Sequence, residues 1–566
     1  MSSESLARLL DELDELKRRF DASERAARTL AALDKRRFTD ADSLIRFHEI
    51  VLFLRAYPHN RAVLRSAERI LASFPRRVAL LSRERGADLS PFEAPEVSGI
   101  AGTSMTSTFS YHVARWLARR HANEVAIDWE GYEDSARLGA SWPRFLPLLE
   151  EDALVEANIP YIEWLRAAMG RERRDLAWLI ERFERSGISE REKAERYDAL
   201  KLWVRWRPSR FQATRTGMKL PVRQIFYQDQ PLLRRSDVSL LSELNGPPLS
   251  LKWLSRREGE EVLDLIRDTS TIRYRELHGF TFGDPARVTH ARVGRGVEFF
   301  FNGVPAEHRL PLRAYHSALI VKNGVPVGYA EGISLFERVE IGFNIYYTFR
   351  EGESAWLYAQ TLRLYRQLLG VNCFSVDPYQ IGYENEEGIE SGAFWFYRKL
   401  GFRPARGELM KLALEEERKA AARPAYRTPP EILRELSVGP LLFELRPAPR
   451  SDWDRFHIRN LGLAVQRRMA SHFGGDAARI RAASVQSVAR ALGLRSAGWR
   501  EHERRAFENL ALVLALIPDM SRWTKDEKRE VARIIRAKAQ AQEADYLRLM
   551  QQHQRLRRAI IKLGSD

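Results

Sequence analysis

A single cysteine, Cys373, stands in the 566 residues. One thiol allows no intrachain disulfide framework and no cysteine zinc site, and it fits a reducing compartment, so the chain reads as cytoplasmic. Long apolar runs are missing as well. The longest, LALVLALIP from Leu510, is about half of the ~20 residues that a bilayer-crossing helix needs, which predicts no membrane span. The opening stretch MSSESLARLLDELDELKRRF is charged within its first turns and does not read as a secretory leader. No metal-ligand spacing, nucleophile elbow or dinucleotide fingerprint is found in the first 250 residues, and no metal is expected. His112, His121 and His457 stand alone and read as structural.

What is present suits several units. The chain is too long for one hydrophobic core, and 44% hydrophobic with 10% aromatic content is enough to build three or four. Its 92 basic residues outnumber 76 acidic ones unevenly. Residues 252–415 hold 21 of each sign, whereas residues 416–566 hold 30 basic and 18 acidic. A basic stretch of that kind suits either solvated helix faces or contact with nucleic acid or an acidic protein.

Residues 1–250 read as mainly helical. Leu6, Leu9, Leu10, Leu13 and Leu16 keep a helical period, as do Leu44, Phe47, Ile50, Val51 and Leu54, with RAYPHNRAV as a break. GIAGTSMTST precedes a helix at 111–120; such a loop could hold a phosphate, but it lacks the P-loop lysine, and a plain capped loop is the simpler reading. EVAIDW suggests a short strand, helices follow to about Trp206, and WRPSRFQATRTGMKLPVRQIF looks like an extended linker. After Arg423, RPAYRTPP looks like another linker, and the rest of 416–566 is helical, ending in one long helix over 525–563 that carries Arg555, Arg557, Arg558 and Lys562.

The middle third changes character. YHSALIVKNGVPVGYAEGISL holds two strand-like runs joined at Asn323-Gly324, a strong hairpin signal. VEIGFNIYYTF follows as a third strand, with Ile341, Phe343, Ile345, Tyr347 and Phe349 on one face. Then come a helix over SAWLYAQTLRLYRQLLG, a short strand VNCFSVD, and ESGAFWFYRKLGFRP. In the last, Ala393, Phe396, Tyr397 and Leu400 keep a helical period and Gly401 closes the helix before a final strand.

On these residues the region around 252–415 resembles the GNAT (Gcn5-related N-acetyltransferase) superfamily. GAFWFYRKLGF is similar to that family's last motif, and NGVPVGYAEG to the hairpin between its second and third strands. The resemblance implies an α+β fold: a mixed-sheet GNAT-like acyltransferase domain flanked by N-terminal and C-terminal mainly helical regions. It implies transfer of an acyl group from acetyl-CoA or another acyl-CoA to an amine-bearing substrate. Tyr397 would then protonate the departing sulfur, and Glu340 would be the general base, with Glu331 one strand away able to do the same work. Backbone N–H groups near a bulge at Ile345 to Tyr347 would polarise the acyl carbonyl, and Arg350, Gly352, Ser354 and Ala355 would hold the pyrophosphate. Glu353 stands where the family pattern has Gly, beside Glu351. Two carboxylates repel a pyrophosphate, so either Gly352 takes over by a one-residue shift or the loop has lost CoA. Two further readings stay open: a GNAT-fold scaffold or binding module without catalysis, whose basic C-terminal region contacts nucleic acid or protein, and an aminoacyl-tRNA-dependent transferase.

Overall fold

The computed structural model describes residues 5–132, 135–140, 142, 160–446 and 451–565. Two sheets organise it. A small antiparallel sheet, order β1-β3-β2, is made of β1 (Met105–Ser107), β2 (Val125–Ile127) and β3 (Val204–Trp206). It has its own core, in which Tyr111, Leu117, Phe183, Tyr197 and Trp206 pack together. The run expected to be helical up to about Trp206 therefore ends in a strand; residues 143–159 of that run lie outside the described residues.

The large sheet has nine strands: β4 (Leu251–Trp253), β5 (Val288–Gly294), β6 (Val297–Asn302), β7 (Ala314–Lys322), β8 (Val325–Leu335), β9 (Arg338–Ile345), β10 (Cys373–Val376), β11 (Arg403–Pro404) and β12 (Leu441–Glu444). Their order is β11-β12-β10-β9-β8-β7-β6-β5-β4. Every neighbouring pair is antiparallel except β9 and β10, which run parallel. Parallel neighbours need a crossover, and the helix Ser354–Leu369 supplies it. Between β7 and β8, Asn323 (φ 50°) and Gly324 (φ 81°) take the left-handed backbone of a two-residue turn. Arg295 (φ 52°) and Gly296 (φ 70°) do the same between β5 and β6, a hairpin that the sequence does not announce.

The sheet reaches past residue 415. That boundary falls inside the helix Gly407–Ala422, and β12 comes from beyond it to lie between β10 and β11. The stretch 206–226, read as an extended linker, is packed into the structure. Thr214, Arg215, Thr216 and, just beyond it, Gln228 are buried, and Arg215 donates to Glu49 at 2.8 Å in the helix Ala41–Ala56. This segment is the mortar between the N-terminal helices and the sheet, and a single continuous core joins the two.

The expected long helix over 525–563 is three helices, Lys525–Ala537, Glu543–Gln552 and Gln554–Gly564. The breaks have local causes. Buried Lys538 turns to Glu543 and to the Arg313 carbonyl (2.8 Å), while His553 caps the last helix through the Leu556 N–H. Two of its basic side chains are occupied internally: Arg555 pairs with Asp519 and Glu527, and Arg557 with Glu337 and Asp452.

Candidate functional site

The parallel register of β9 and β10 holds for three pairs, Cys373 with Arg338, Phe374 with Val339 and Ser375 with Glu340. Beyond it β9 runs on to Ile345 while β10 ends at Val376, so the strands part. The resulting cleft, about 340 Å³, is lined from β9 by Phe343, Asn344 and Ile345, and from the far wall by Gln380, Phe396 and Tyr397. Along its edge β9 has main-chain groups without a strand partner. Among the described residues the Phe343 N–H reaches only the Gln380 side chain, at 3.4 Å, and strand alternation points the Ile345 N–H the same way.

At the cleft mouth begins the helix Ser354–Leu369. Among the described residues no side chain caps it, and no acidic residue follows its N-cap Glu353 in the first turn. The first N–H groups of a helix are unsatisfied within it and carry partial positive charge, so this end attracts an anion. Arg350 and Ser354 line the cleft beside it; Arg350 bonds the Ile345 carbonyl at 3.4 Å and pairs with Glu387 at 2.5 Å.

The two carboxylates expected to repel a pyrophosphate are neutralised from outside the loop. Glu353 is fully buried, pairing with Arg295 at 2.5 Å and Lys322 at 3.4 Å. Burial lowers the Lys322 ammonium to about 8 despite that carboxylate. Glu351 meets Lys17 at 2.6 Å and Arg18 at 3.4 Å, from just past the helix Leu6–Leu16. Arg295 holds a positive φ while its guanidinium makes this pair, so the sheet compensates Glu353 and the N-terminal region compensates Glu351.

The remaining expected residues divide. Ile345, Arg350, Ser354 and Tyr397 line the cleft. Gly352 and Ala355 turn inward: a Cβ on Gly352 would stand 2.7 Å from the Tyr57 hydroxyl, and Ala355 is buried. Tyr347 points to solvent, 57% exposed, beneath the Arg350 guanidinium. A bulge at Ile345–Tyr347 is not found; β8 and β9 pair without a slip, and the chain leaves the sheet as a 3-10 turn, Tyr347–Phe349.

Tyr397 is buried among Tyr358 (5.3 Å) and Phe402 (5.8 Å), and burial pushes its phenol well above 10. Such a phenol keeps its proton at neutral pH. Glu340 lies outside the cleft, in a neighbouring pocket, held by Arg338 (3.5 Å) and Arg313 (3.9 Å). Glu331 stands on the same sheet face, outside the lining of both the cleft and that pocket. It pairs across the sheet with Gly342, two residues from Asn344 in the cleft, and accepts a hydrogen bond from the Tyr315 hydroxyl. Burial raises its carboxyl pKa, with the Tyr315 bond opposing. Among the described residues no cluster of His, Cys, Asp or Glu suits a metal ion.

No protein-family model, curated protein or solved structure matches this chain.

Proposed function

We propose that this chain is an N-acyltransferase of GNAT-like fold, moving an acyl group from acyl-CoA to an amine. The observation that carries it is the cleft where parallel β9 and β10 part, with an uncapped helix N-terminus at its mouth. Strand order supports it too. The hairpin, strand, helix, strand, helix, strand succession read from the sequence forms one half of the large sheet, in which β12 lies between β10 and β11.

Arg350, Ser354 and the first N–H groups of the helix Ser354–Leu369 would hold the pyrophosphate, since a helix N-terminus favours anions. Bound there, acyl-CoA supplies an acyl group activated as a thioester. The Ile345 N–H is available to polarise the acyl oxygen. Glu331 accepts the proton that an ammonium must lose before it attacks, and its raised pKa makes it a stronger base than an ordinary carboxylate once ionised. Tyr397 donates the proton that the departing sulfur requires.

Calorimetric and thermal-shift titration with acetyl-CoA tests this. Saturable binding is expected to stabilise the fold by about 2.7 kcal/mol at a hundredfold excess over Kd, and Arg350→Glu is expected to abolish it. No binding at millimolar ligand would remove CoA-dependent catalysis and leave a GNAT-like scaffold.

A further inference from the structure

Beside the cleft lies a second pocket of about 240 Å³, and the segment 377–380 walls both: Asp377 and Pro378 face the pocket, Tyr379 and Gln380 the cleft. Four guanidinium groups line the pocket, from Arg313, Arg338, Arg406 and Arg459, against two carboxylates, Glu340 and Asp377. Arg338 is committed, donating to Ser375 at 2.9 Å, stacking on Trp453 at 5.4 Å and pairing with Glu340. Arg313 is 3.9 Å from Glu340, beyond hydrogen-bond reach. Arg406 and Arg459 have no ion-pair partner among the described residues, while Ile333, Leu335 and Phe456 give the pocket apolar walls. Excess cationic charge between low-dielectric walls concentrates anions, and planar guanidinium forks fit carboxylate or phosphate oxygens.

Strand β9 runs from the pocket to the cleft. Glu340, Gly342 and Asn344 lie on one face of β9, the first in the pocket and the last in the cleft. Between them Gly342 has no side chain, and a Cβ there would meet nothing closer than the Glu331 carbonyl at 4.0 Å. Glu331 pairs with Gly342 across β8 and β9, on the same sheet face as Glu340 and Asn344.

We infer that this pocket holds the anionic end of the acyl acceptor, an amine that also bears a carboxylate or phosphate, while its amino group extends over Gly342 to Glu331. This rests on the acyltransferase reading for the word acceptor, but the anion site stands on its own residues.

Calorimetry of the full chain with L-glutamate, O-phosphoethanolamine and, as cationic control, putrescine separates the two. At least one anionic amine is expected to bind, and which one distinguishes carboxylate from phosphate. Its affinity is expected to fall about tenfold or more in Arg406→Ala and in Arg459→Ala, because charge-assisted bonds are the strong ones. Both arginines reach solvent, so the variants are expected to keep the parent circular dichroism. Anionic amines binding no better than putrescine, or equally well in both variants, would overturn the inference. Acetyl-CoA binding accompanied by acetylation of putrescine, unaffected by either substitution, overturns the acceptor assignment and spares the donor cleft. Anion binding without acetyl-CoA binding leaves the pocket and sinks the donor reading.

Discussion

Glu331 and Glu340 point to the same side of the large sheet, yet their surroundings give them different work. Arg338 pairs with Glu340 at 3.5 Å and Arg313 stands 3.9 Å from it, so its charge is committed at the rim of the second pocket. Glu331 has a tyrosine hydroxyl and a raised pKa due to burial. The sign of its contribution follows. A carboxyl whose folded pKa exceeds the unfolded value stabilises the fold below about pH 4.5, and that stabilisation is lost as pH rises through the folded pKa. Glu331→Gln, which mimics the neutral form, is thus expected to raise Tm at pH 7 while lowering kcat by about 10²–10⁴ and removing the acid limb of the rate profile. A Tm that falls together with an unchanged pH profile would make Glu331 structural. The helix Ala393–Arg398 that carries Tyr397 was legible in the sequence because its apolar repeat runs up to a glycine, whereas the role given to Tyr397 came from the resemblance alone. The partners of Glu353 were not, since Arg295 and Lys322 precede it by 58 and 31 residues and only the fold brings them together.

At the scale of elements, the loop between β9 and the helix Ser354–Leu369 is positioned from behind. Gly352 packs on the hydroxyl of fully buried Tyr57, and a Cβ there would also lie 3.0 Å from the Phe349 carbonyl. Gly352→Ala is expected to cost about 1–3 kcal/mol, as overpacking does, and to weaken acetyl-CoA binding by displacing Arg350; denaturant melts and calorimetry on one sample check both. The β7–β8 hairpin and the crossover helix could be read from turn chemistry and periodicity. The β5–β6 hairpin was hidden because Arg295 occupies a turn position where Gly or Asn is usual. The three terminal helices were read as one because helical spacing persists across both breaks, and the buried Lys538–Glu543 pair that bends the chain is visible only in three dimensions.

For the whole molecule, the C-terminal flank completes the large sheet and the N-terminal flank packs against it. The N-terminal helices neutralise Glu351 and pack behind the loop, and the C-terminal part supplies β12 and closes the second pocket with Trp453 and Phe456. Trp453 bonds Glu337 at 2.9 Å in the β8–β9 turn, and Arg557 grips the same carboxylate. A chain ending at residue 415 leaves β10 and β11 without the strand between them. It is expected to lose cooperative unfolding and to aggregate through the exposed strand edges, which circular dichroism melts and size-exclusion chromatography detect. A cooperative, monomeric product would show that residues 252–415 fold without β12. Strand pairing across the intervening helices is a long-range contact, and local sequence pattern carries no trace of it.

Cys373 lies in β10, the strand whose early end opens the cleft, and its thiol is buried, with burial pushing its pKa well above 9. Thiol reagents act on the thiolate, so at neutral pH the native chain is silent toward maleimides. In Tyr347→Cys the new thiol, exposed and next to the cleft-lining Arg350, becomes the one reactive handle, and a dye attached there reports on Arg350 and its ligand by fluorescence without any background to subtract.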